Sequence, residues 1–241
     1  MIEPEPLWNT RILSVDNTLV IADLHIGYER ELEEKGIQVT SKTSKMVKSV
    51  AAHLKSEEVT RLIINGDVKH NIPSGSWQEY EEIPRAMDRW LSHVDEIHVF
   101  PGNHDGGIES YLPSEVIIHE SRGDIIDGIG YFHGHANPSD NVLDAEIIIT
   151  AHTHPAVTLL DSLGNREKYI CWIKFDYIYN DSMGKGIIMP PLNPLLGGVS
   201  FNEDGYLGPF LNNIDKENVS IHLLDGTQLG KSNQNFEHYI D

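Results

Sequence analysis

The sequence predicts an α/β protein with a parallel sheet at its centre. Three short apolar segments, residues 18–22, 61–64 and 96–100, are typical of strands, and helical stretches lie between them. Each of these segments ends in polar residues of metal-binding type. Alternating strands and helices favour a parallel sheet, whose functional site lies beyond the carboxyl ends of its strands.

Length and composition are those of a globular α/β protein with many loops. The chain has 241 residues, of which 39% are hydrophobic, and it contains 20 Gly and 12 Pro. We expect a single domain over residues 1–241, with a core at about 10–200 followed by a C-terminal strand and a polar tail.

The cysteine count and the apolar segments bear on cellular location. The single Cys171 excludes an internal disulfide and fits a reducing compartment. No apolar run approaches the roughly 18 residues of a membrane span, and the acidic N-terminus lacks the apolar segment of a signal peptide. We therefore expect a cytoplasmic protein that does not bind membranes.

The first predicted elements are a hairpin and a helix. Residues 11–15 and 18–22 should pair as antiparallel strands, because Asp16 and Asn17 suit a tight turn. A helix is predicted at 44–55, where apolar residues recur with a period of 3.6 and form one face directed at the core.

Two further helices are expected before the strand at 96–100. The first is a short acidic helix at 77–82. Pro84 should begin the second, at 85–93, because proline is tolerated in the first turn of a helix but disrupts its interior.

The second half of the chain is expected to be richer in strands than in helices. A turn at Asp127 and Gly128 predicts a hairpin, and the apolar run at 146–150 is typical of a buried strand. The predicted strands are 116–119, 124–126, 129–132, 146–150, 156–161, 168–175, 186–189 and 219–224.

Residues of metal-binding type follow several of the predicted strands. In extended backbone, residues two apart point the same way, so Asp23 and His25 should reach one ion together. His152 and His154 have the same spacing after the strand at 146–150, and we expect them on one face. The candidate ligands are Asp23, His25, Asp67, Asn103, His133, His152 and His154, with His104 beside them.

This ligand set predicts a site for two metal ions. Mixed nitrogen and oxygen ligands without thiolate suit manganese, iron, zinc, cobalt or nickel, and seven ligands exceed what one ion needs. Two ions about 3.5–4 Å apart would fit, with Asp67 as the natural bridge. A water bridging them would lose a proton near neutral pH and become a nucleophile, and the ions would neutralise charge on phosphate oxygens.

The order of these motifs resembles the calcineurin-like metallophosphoesterases. The motifs are Asp-x-His, Gly-Asp, Gly-Asn-His-Asp, His-Gly and His-x-His, between Asp23 and His154. The resemblance implies a four-layer α/β/β/α sandwich of the metallophosphoesterase type with a di-metal site, for which manganese is the expected metal. One metal would take Asp23, His25, Asp67 and His154. The other would take Asp67, Asn103, His133 and His152.

The resemblance also implies roles for the residues that follow Asn103. His104 would stabilise the transition state or protonate the leaving oxygen, and Asp105 would orient His104. His133 is preferred to His135 as the ligand because it directly ends its strand and precedes a glycine, as in the family; the choice between them stays open.

Two segments look more like one subgroup of that family. Residues 66–70 and 189–198 are similar to archaeal phosphoesterases of unassigned substrate and to a bacterial phosphoesterase linked to a DNA ligase. The chain departs from the usual pattern at two positions: Ala151 replaces a common glycine, and His70 stands where many members carry Asp.

The predicted function is hydrolysis of a phosphate ester by attack of a metal-bridging hydroxide, with a phosphodiester of a nucleotide or nucleic acid as the expected substrate. Phosphomonoesterase or nucleotide pyrophosphatase activity is the alternative within the enzyme class. Outside it stands a catalytically silent scaffold, as in the retromer subunit that shares the family's fold. The net charge of −19 means that metal ions would have to supply much of the attraction for a nucleic acid. Monomer and homodimer both remain open.

Overall fold

Two β-sheets pack face to face at the centre of the protein. The computed structural model describes residues 3–56, 58–73, 75–204, 208–211, 214 and 219–231. The strands are β1 (Glu5–Leu7), β2 (Ile12–Val15), β3 (Thr18–Ile21), β4 (Arg61–Ile64), β5 (Glu96–Val99), β6 (Ile117–Ile118), β7 (Asp124–Ile126), β8 (Ile129–Tyr131), β9 (Ile147–Thr150), β10 (Pro155–Leu160), β11 (Arg166–Tyr179), β12 (Ser182–Ile188), β13 (Val199–Ser200), β14 (Ser220–Leu223) and β15 (Gln228–Lys231). The helices are α1 (Tyr28–Glu34), α2 (Thr43–Ser56), α3 (Trp77–Leu91) and α4 (Asp140–Leu143), with a 3-10 helix at Ile108–Ser110.

The first sheet has the order β1-β2-β3-β4-β5-β6, and β3, β4, β5 and β6 run parallel. Ile21 pairs with Ile64 and Ile64 with Val99, so three strands end at the same level. The parallel sheet predicted from the sequence is therefore confirmed, and the loops after β3, β4 and β5 meet at one edge.

The second sheet has the order β13-β10-β11-β12-β9-β8-β7, with β14 added beside β11 and β15 beside β14. Within it β9 is parallel to both β8 and β12, and Tyr131 pairs with Ile149. The strands that precede His133 and His152 therefore also end side by side.

Three apolar layers hold the sandwich together. Helices α2 and α3 cover the outer face of the first sheet, burying residues such as Val50 and Trp90. Between the sheets, Phe100, which follows β5 of the first sheet, and Trp172 of the second belong to one buried apolar cluster. The outer face of the second sheet packs on α4 through Val142. The predicted α/β sandwich is confirmed, although within the described residues the helical part of the fourth layer is only the four-residue α4.

The prediction that Pro84 separates two helices is wrong. Helix α3 runs unbroken from Trp77 to Leu91 with Pro84 inside it. Its apolar residues, Ile83 and Met87 among them, form one continuous buried face, and that burial offsets the hydrogen bond that proline cannot make. Ser76 caps the helix together with Glu79.

No helix among the described residues has the length and apolarity that a membrane crossing requires. The polar tail expected at the C-terminus, residues 232–241, lies outside the described residues. The assignment of residues 1–241 to one domain stays a prediction.

Candidate metal centre

The loops after β3 and β4 continue to pair once their strands have ended. The backbone N–H of Asp23 donates to the carbonyl of Gly66 at 3.0 Å, and that of His25 donates to the carbonyl of Asp67 at 2.8 Å. Because these bonds fix one loop against the other, the side chains of Asp23, His25 and Asp67 have set positions relative to each other.

Five candidate ligands have a left-handed backbone. The φ angles of Asp23, His25, Asp67, His152 and His154 are 53°, 41°, 52°, 67° and 44°. This conformation costs free energy in residues other than glycine and concentrates at functional sites. The expectation of extended backbone at Asp23 and His25 and at His152 and His154 is therefore wrong. A left-handed residue changes the chain direction, so side chains two positions apart need not point the same way.

One cluster consists of Asp23, His25 and His154. Their ligand atoms all lie within 4.8 Å of one another. His154 Nε2 is 3.3 Å from Asp23 Oδ1, and Asp23 and His25 are both buried. A carboxylate and two imidazoles therefore face one small space.

A second cluster consists of Asp67, His133 and His152, again with ligand atoms within 4.8 Å of one another. His133 Nε2 lies 3.2 Å from Asp67 Oδ2. His133 is fully buried, and its Nδ1–H donates to the Asn65 carbonyl at 2.9 Å, which leaves Nε2 as the ligand atom. His152 and His154, expected on one face, are thus divided between the two clusters.

Asp67 joins the clusters. Its Oδ2 lies 3.2 Å from His25 Nε2 and 3.2 Å from His133 Nε2. Its Oδ1 accepts a hydrogen bond from the backbone N–H of His104 at 2.9 Å. A second link runs from the backbone N–H of His152 to Asp23 Oδ2 at 3.3 Å. The two clusters therefore form one continuous site.

The residues present fit divalent metal ions. Four buried atoms, Asp23 Oδ1, His25 Nε2, His133 Nε2 and His154 Nε2, have no hydrogen-bond partner among the described residues. Burying polar atoms without partners is costly, and proteins rarely do it unless another group completes the site. Oxygen and imidazole donors without thiolate are the ligands of manganese, iron, zinc, cobalt or nickel.

The metal-free cluster holds an unequal distribution of protons. Burial lowers the pKa of His152 to about 4, so this imidazole is neutral at pH 7. Burial acts the same way on His133, but Asp67, Asp23 and the Asn65 carbonyl together outweigh it and raise the pKa to about 9. Burial alone would raise the pKa of Asp67, but the protonated imidazole of His133 holds it well below its usual range.

Glycines let the ligands approach the backbone. Gly66 has φ +89°, and a Cβ there would overlap the imidazole of His133. A Cβ at Gly102 would overlap the carboxylate of Asp67. Each glycine thus keeps free the space that a ligand side chain occupies.

His104 lies beside the clusters and is partly buried. Its ring centre is 4.6 Å from that of His25, and its Nδ1 lies 2.5 Å from the His70 carbonyl. Because a carbonyl only accepts, Nδ1 carries the proton and Nε2 is the atom left for substrate. Asn103, the preceding residue, is exposed, and its role as a ligand stays a prediction.

Asp105 acts on the backbone around the site. Its Oδ1 accepts from the N–H groups of Val68 and Lys69 at 2.9 and 3.2 Å, and its Oδ2 accepts from that of Gly102 at 2.8 Å. The carboxylate therefore ties the loop after β5 to the loop after β4. Its contact with His104 runs through this turn, whereas the imidazole Nδ1 meets the His70 carbonyl.

The geometry places His133 in the cluster and leaves His135 beside it, with ring centres 5.5 Å apart. Sequence reasoning missed Asn193, whose buried Nδ2 donates to the carbonyls of Leu24 and His25 at 3.0 and 3.4 Å. Residues 189–198 contribute to the subgroup resemblance, but nothing in their sequence pattern indicates that Asn193 holds the loop after β3.

The model of the calcineurin-like phosphoesterase family matches residues 17–141, which is 125 of the 241 residues. The chain belongs to the calcineurin-like phosphoesterases. The match includes Asp23, His25, Asp67 and His133 and ends before His152 and His154, which the fold brings to the same site.

Solved structures provide a second comparison. The nuclease MPE from Pseudomonas putida is 14% identical with a TM-score of 0.57, and the alignment covers 95% of this chain and 98% of that one. This likeness shows that the two proteins share one fold over 95% of this chain. A single mutant of Vps29 from Entamoeba histolytica is 15% identical, with a TM-score of 0.36 and coverage of 85% and 89%. No curated protein matches the sequence significantly.

Proposed function

We propose that this protein is a phosphodiesterase that works with two divalent metal ions, manganese being the expected metal, on a nucleotide or nucleic acid. The observation that carries the proposal is the pair of buried clusters joined by Asp67, in which four ligand-type atoms lack hydrogen bonds. Family membership gives the reaction class, which is hydrolysis of a phosphate ester.

The ligand sets follow from the clusters. Asp23, His25 and His154 would hold one ion, and Asp67, His133 and His152 the other, with Asp67 between them and Asn103 as a further oxygen ligand. When bound, two such ions activate water and neutralise charge on the phosphate oxygens. The protein fixes the orientation of a ligand imidazole through its other ring nitrogen, as the Asn65 carbonyl does for His133.

His104 would act on the leaving group. With Nδ1–H held by the His70 carbonyl, its Nε2 can carry a proton to the oxygen of the departing alcohol or donate to a phosphate oxygen. The backbone N–H of His104 is bonded to Asp67, so this imidazole keeps a constant position relative to the clusters.

The diester substrate is supported by a resemblance alone. MPE is described as a nuclease, and the chain shares its fold at 14% identity. The net charge of −19 favours nucleotides or short single strands over long duplexes, because a phosphate-binding surface needs basic residues. A phosphomonoesterase has the same ligands, and only substrate choice separates the two activities.

The test is hydrolysis of bis-p-nitrophenyl phosphate and p-nitrophenyl phosphate by metal-stripped protein supplied with Mn²⁺, Ni²⁺, Zn²⁺ or Mg²⁺. His104→Ala serves as the catalytic variant and His135→Asn, beside the cluster, as its matched control. We expect diester turnover that requires added metal, falls about 10²–10⁴-fold in His104→Ala and changes little in His135→Asn.

Two results would contradict the proposal. Turnover of the monoester alone would replace the phosphodiesterase with a phosphomonoesterase. Binding of two ions without turnover of either ester or of dinucleotides would remove the catalytic role and favour a metal-binding scaffold.

A further inference from the structure

A chain of hydrogen bonds runs from the metal centre to the protein surface. His25 Nδ1 lies 3.1 Å from His70 Nδ1, and His70 Nε2 lies 2.5 Å from Glu31 Oε2. The side chain of His70 is 11% exposed and that of Glu31 is 34% exposed. Lys35, the residue directly after helix α1, pairs with Glu31. A buried candidate ligand is thus connected through one imidazole to a surface carboxylate.

The proton positions along this chain follow from the donors and acceptors. His25 Nε2 faces Asp67 and has no hydrogen-bond partner among the described residues, so it is the atom free to bind an ion. When Nε2 binds an ion it carries no proton, so Nδ1 must carry the proton and donate to His70 Nδ1. His70 in turn must carry its proton on Nε2, where Glu31 accepts it. The donor and acceptor roles of the three side chains are therefore mutually consistent. We call the chain His25–His70–Glu31 the relay.

We propose that Glu31 and His70 are positioning residues that hold His25 in the tautomer that binds a metal ion through Nε2. This inference rests on the proposed metal centre. The opposite tautomer would place a proton on the atom that faces the ion. Outer partners of ligating histidines fix both the tautomer and the ring orientation. Lys35 and His70 together lower the pKa of Glu31, which keeps its carboxylate an acceptor.

A competing interpretation makes His70 a ligand itself. The ligand atoms of His25, His70 and His104 lie within 4.8 Å of one another. However, both ring nitrogens of His70 already have partners, His25 and Glu31. His104 likewise uses its Nδ1 on a carbonyl. The orphaned atoms of the site are elsewhere, which favours His70 as a support over His70 as a ligand.

The test measures binding of Mn²⁺ to metal-stripped protein by calorimetry and by competition with a chelating dye. His70→Phe removes both bonds, and His70→Asn keeps an oxygen near the position of Nδ1 that can accept from His25. Glu31→Gln keeps an acceptor without charge. Glu34→Gln is the matched control, because Glu34 lies on the same helix and pairs with Arg30 instead.

We expect His70→Phe to lower the affinity for one of two Mn²⁺ ions about 10–100-fold. His70→Asn should recover most of that affinity, Glu31→Gln should show a smaller loss, and Glu34→Gln none. A nitrogen NMR spectrum of the metal-free wild type should show His25 protonated at Nδ1. The spectrum decides the tautomer even where His70→Phe does not fold.

Several outcomes would overturn the inference. Unchanged affinities in His70→Phe and Glu31→Gln, or a proton on His25 Nε2, would reject the relay while leaving the metal centre in place. If His70→Phe no longer binds one of the two ions and binds the other with unchanged affinity, His70 is a ligand. An equal loss of affinity in Glu34→Gln would mean that the effect comes from the negative charge of the helix and not from the contact between Glu31 and His70. A wild type that binds no Mn²⁺ would reject the metal centre and the relay together.

Discussion

Metal binding to the cluster of Asp67, His133 and His152 should expel a proton from His133. In the metal-free protein burial lowers the pKa of His133, but Asp67 and Asp23 with the Asn65 carbonyl outweigh burial and raise the pKa to about 9. At pH 7 about 99% of this imidazole is therefore protonated. An ion that binds Nε2 must displace that proton, whereas His152, with a pKa of about 4, has none to release.

The magnitude follows from the pKa. Below pH 9 the apparent affinity should fall about tenfold per pH unit, or about 100-fold between pH 8.5 and 6.5, which is about 2.7 kcal/mol. Stability of the metal-free protein should run the opposite way. A folded pKa above the unfolded value contributes stability below about pH 6.5, and this contribution is lost as pH rises through about 9.

Calorimetry gives the proton count. Titrations with Mn²⁺ at pH 7, in two buffers that differ in ionisation enthalpy and do not bind the metal, should show release of at least one proton. His154, whose pKa is raised by Asp23 against the effect of burial, can add to that number.

Two variants separate the source of the proton. His133→Asn should lower the count by about one, and His135→Asn should leave it unchanged, because burial lowers the pKa of His135 and keeps it neutral. Metal binding with no proton release in the wild type would refute the reasoning, and so would a count that falls in His135→Asn instead of His133→Asn.

Two further predictions concern the loops that carry the ligands. Gly66→Ala should lower both the melting temperature and the affinity for Mn²⁺, because its Cβ would overlap His133. Gly128→Ala is the control, because Gly128 has a similar φ of +81° but open space around it, and this variant should keep metal binding. Equal losses of metal binding in the two variants would contradict a role for the contact with His133. Asp105→Asn should cost about 1–3 kcal/mol of unfolding free energy, because an amide nitrogen cannot accept from the N–H of Gly102. Denaturant unfolding and Mn²⁺ titration would show this loss in stability and metal affinity together, whereas a fall in kcat alone would mean that Asp105 acts only on His104.

The position of the site was predictable because strand ends obey simple rules. Apolar runs followed by Asp23, Asp67 and His133 are visible in the sequence, and parallel register brings such ends to one edge. The end of each strand at which the ligands lie can be predicted without knowledge of distant contacts. This is why the six His and Asp residues of the two clusters were all among the candidates.

What the sequence did not show depends on non-local contacts. Left-handed backbone at His152 and His154 is stabilised by the surroundings, since propensity alone disfavours it. Strand geometry therefore predicted both on one face, and only the family resemblance assigned them to different ions. The bond from Asn193 to Leu24 spans 169 residues. Helix α3 continues through Pro84 because a buried face supports it. In each case tertiary packing decides between alternatives that local rules leave open.

The placement of His152 and His154 in different clusters has a consequence for engineering. The two residues are two positions apart, and Asp67 lies close to imidazoles of both clusters. A substitution that shifts this backbone or this carboxylate would reach both clusters at once. We therefore expect mutational effects on the two proposed ion positions to be non-additive, since interaction energies of about 0.5–3 kcal/mol are usual within one such network. Selection for a new metal at one position would have to accept a change at the other.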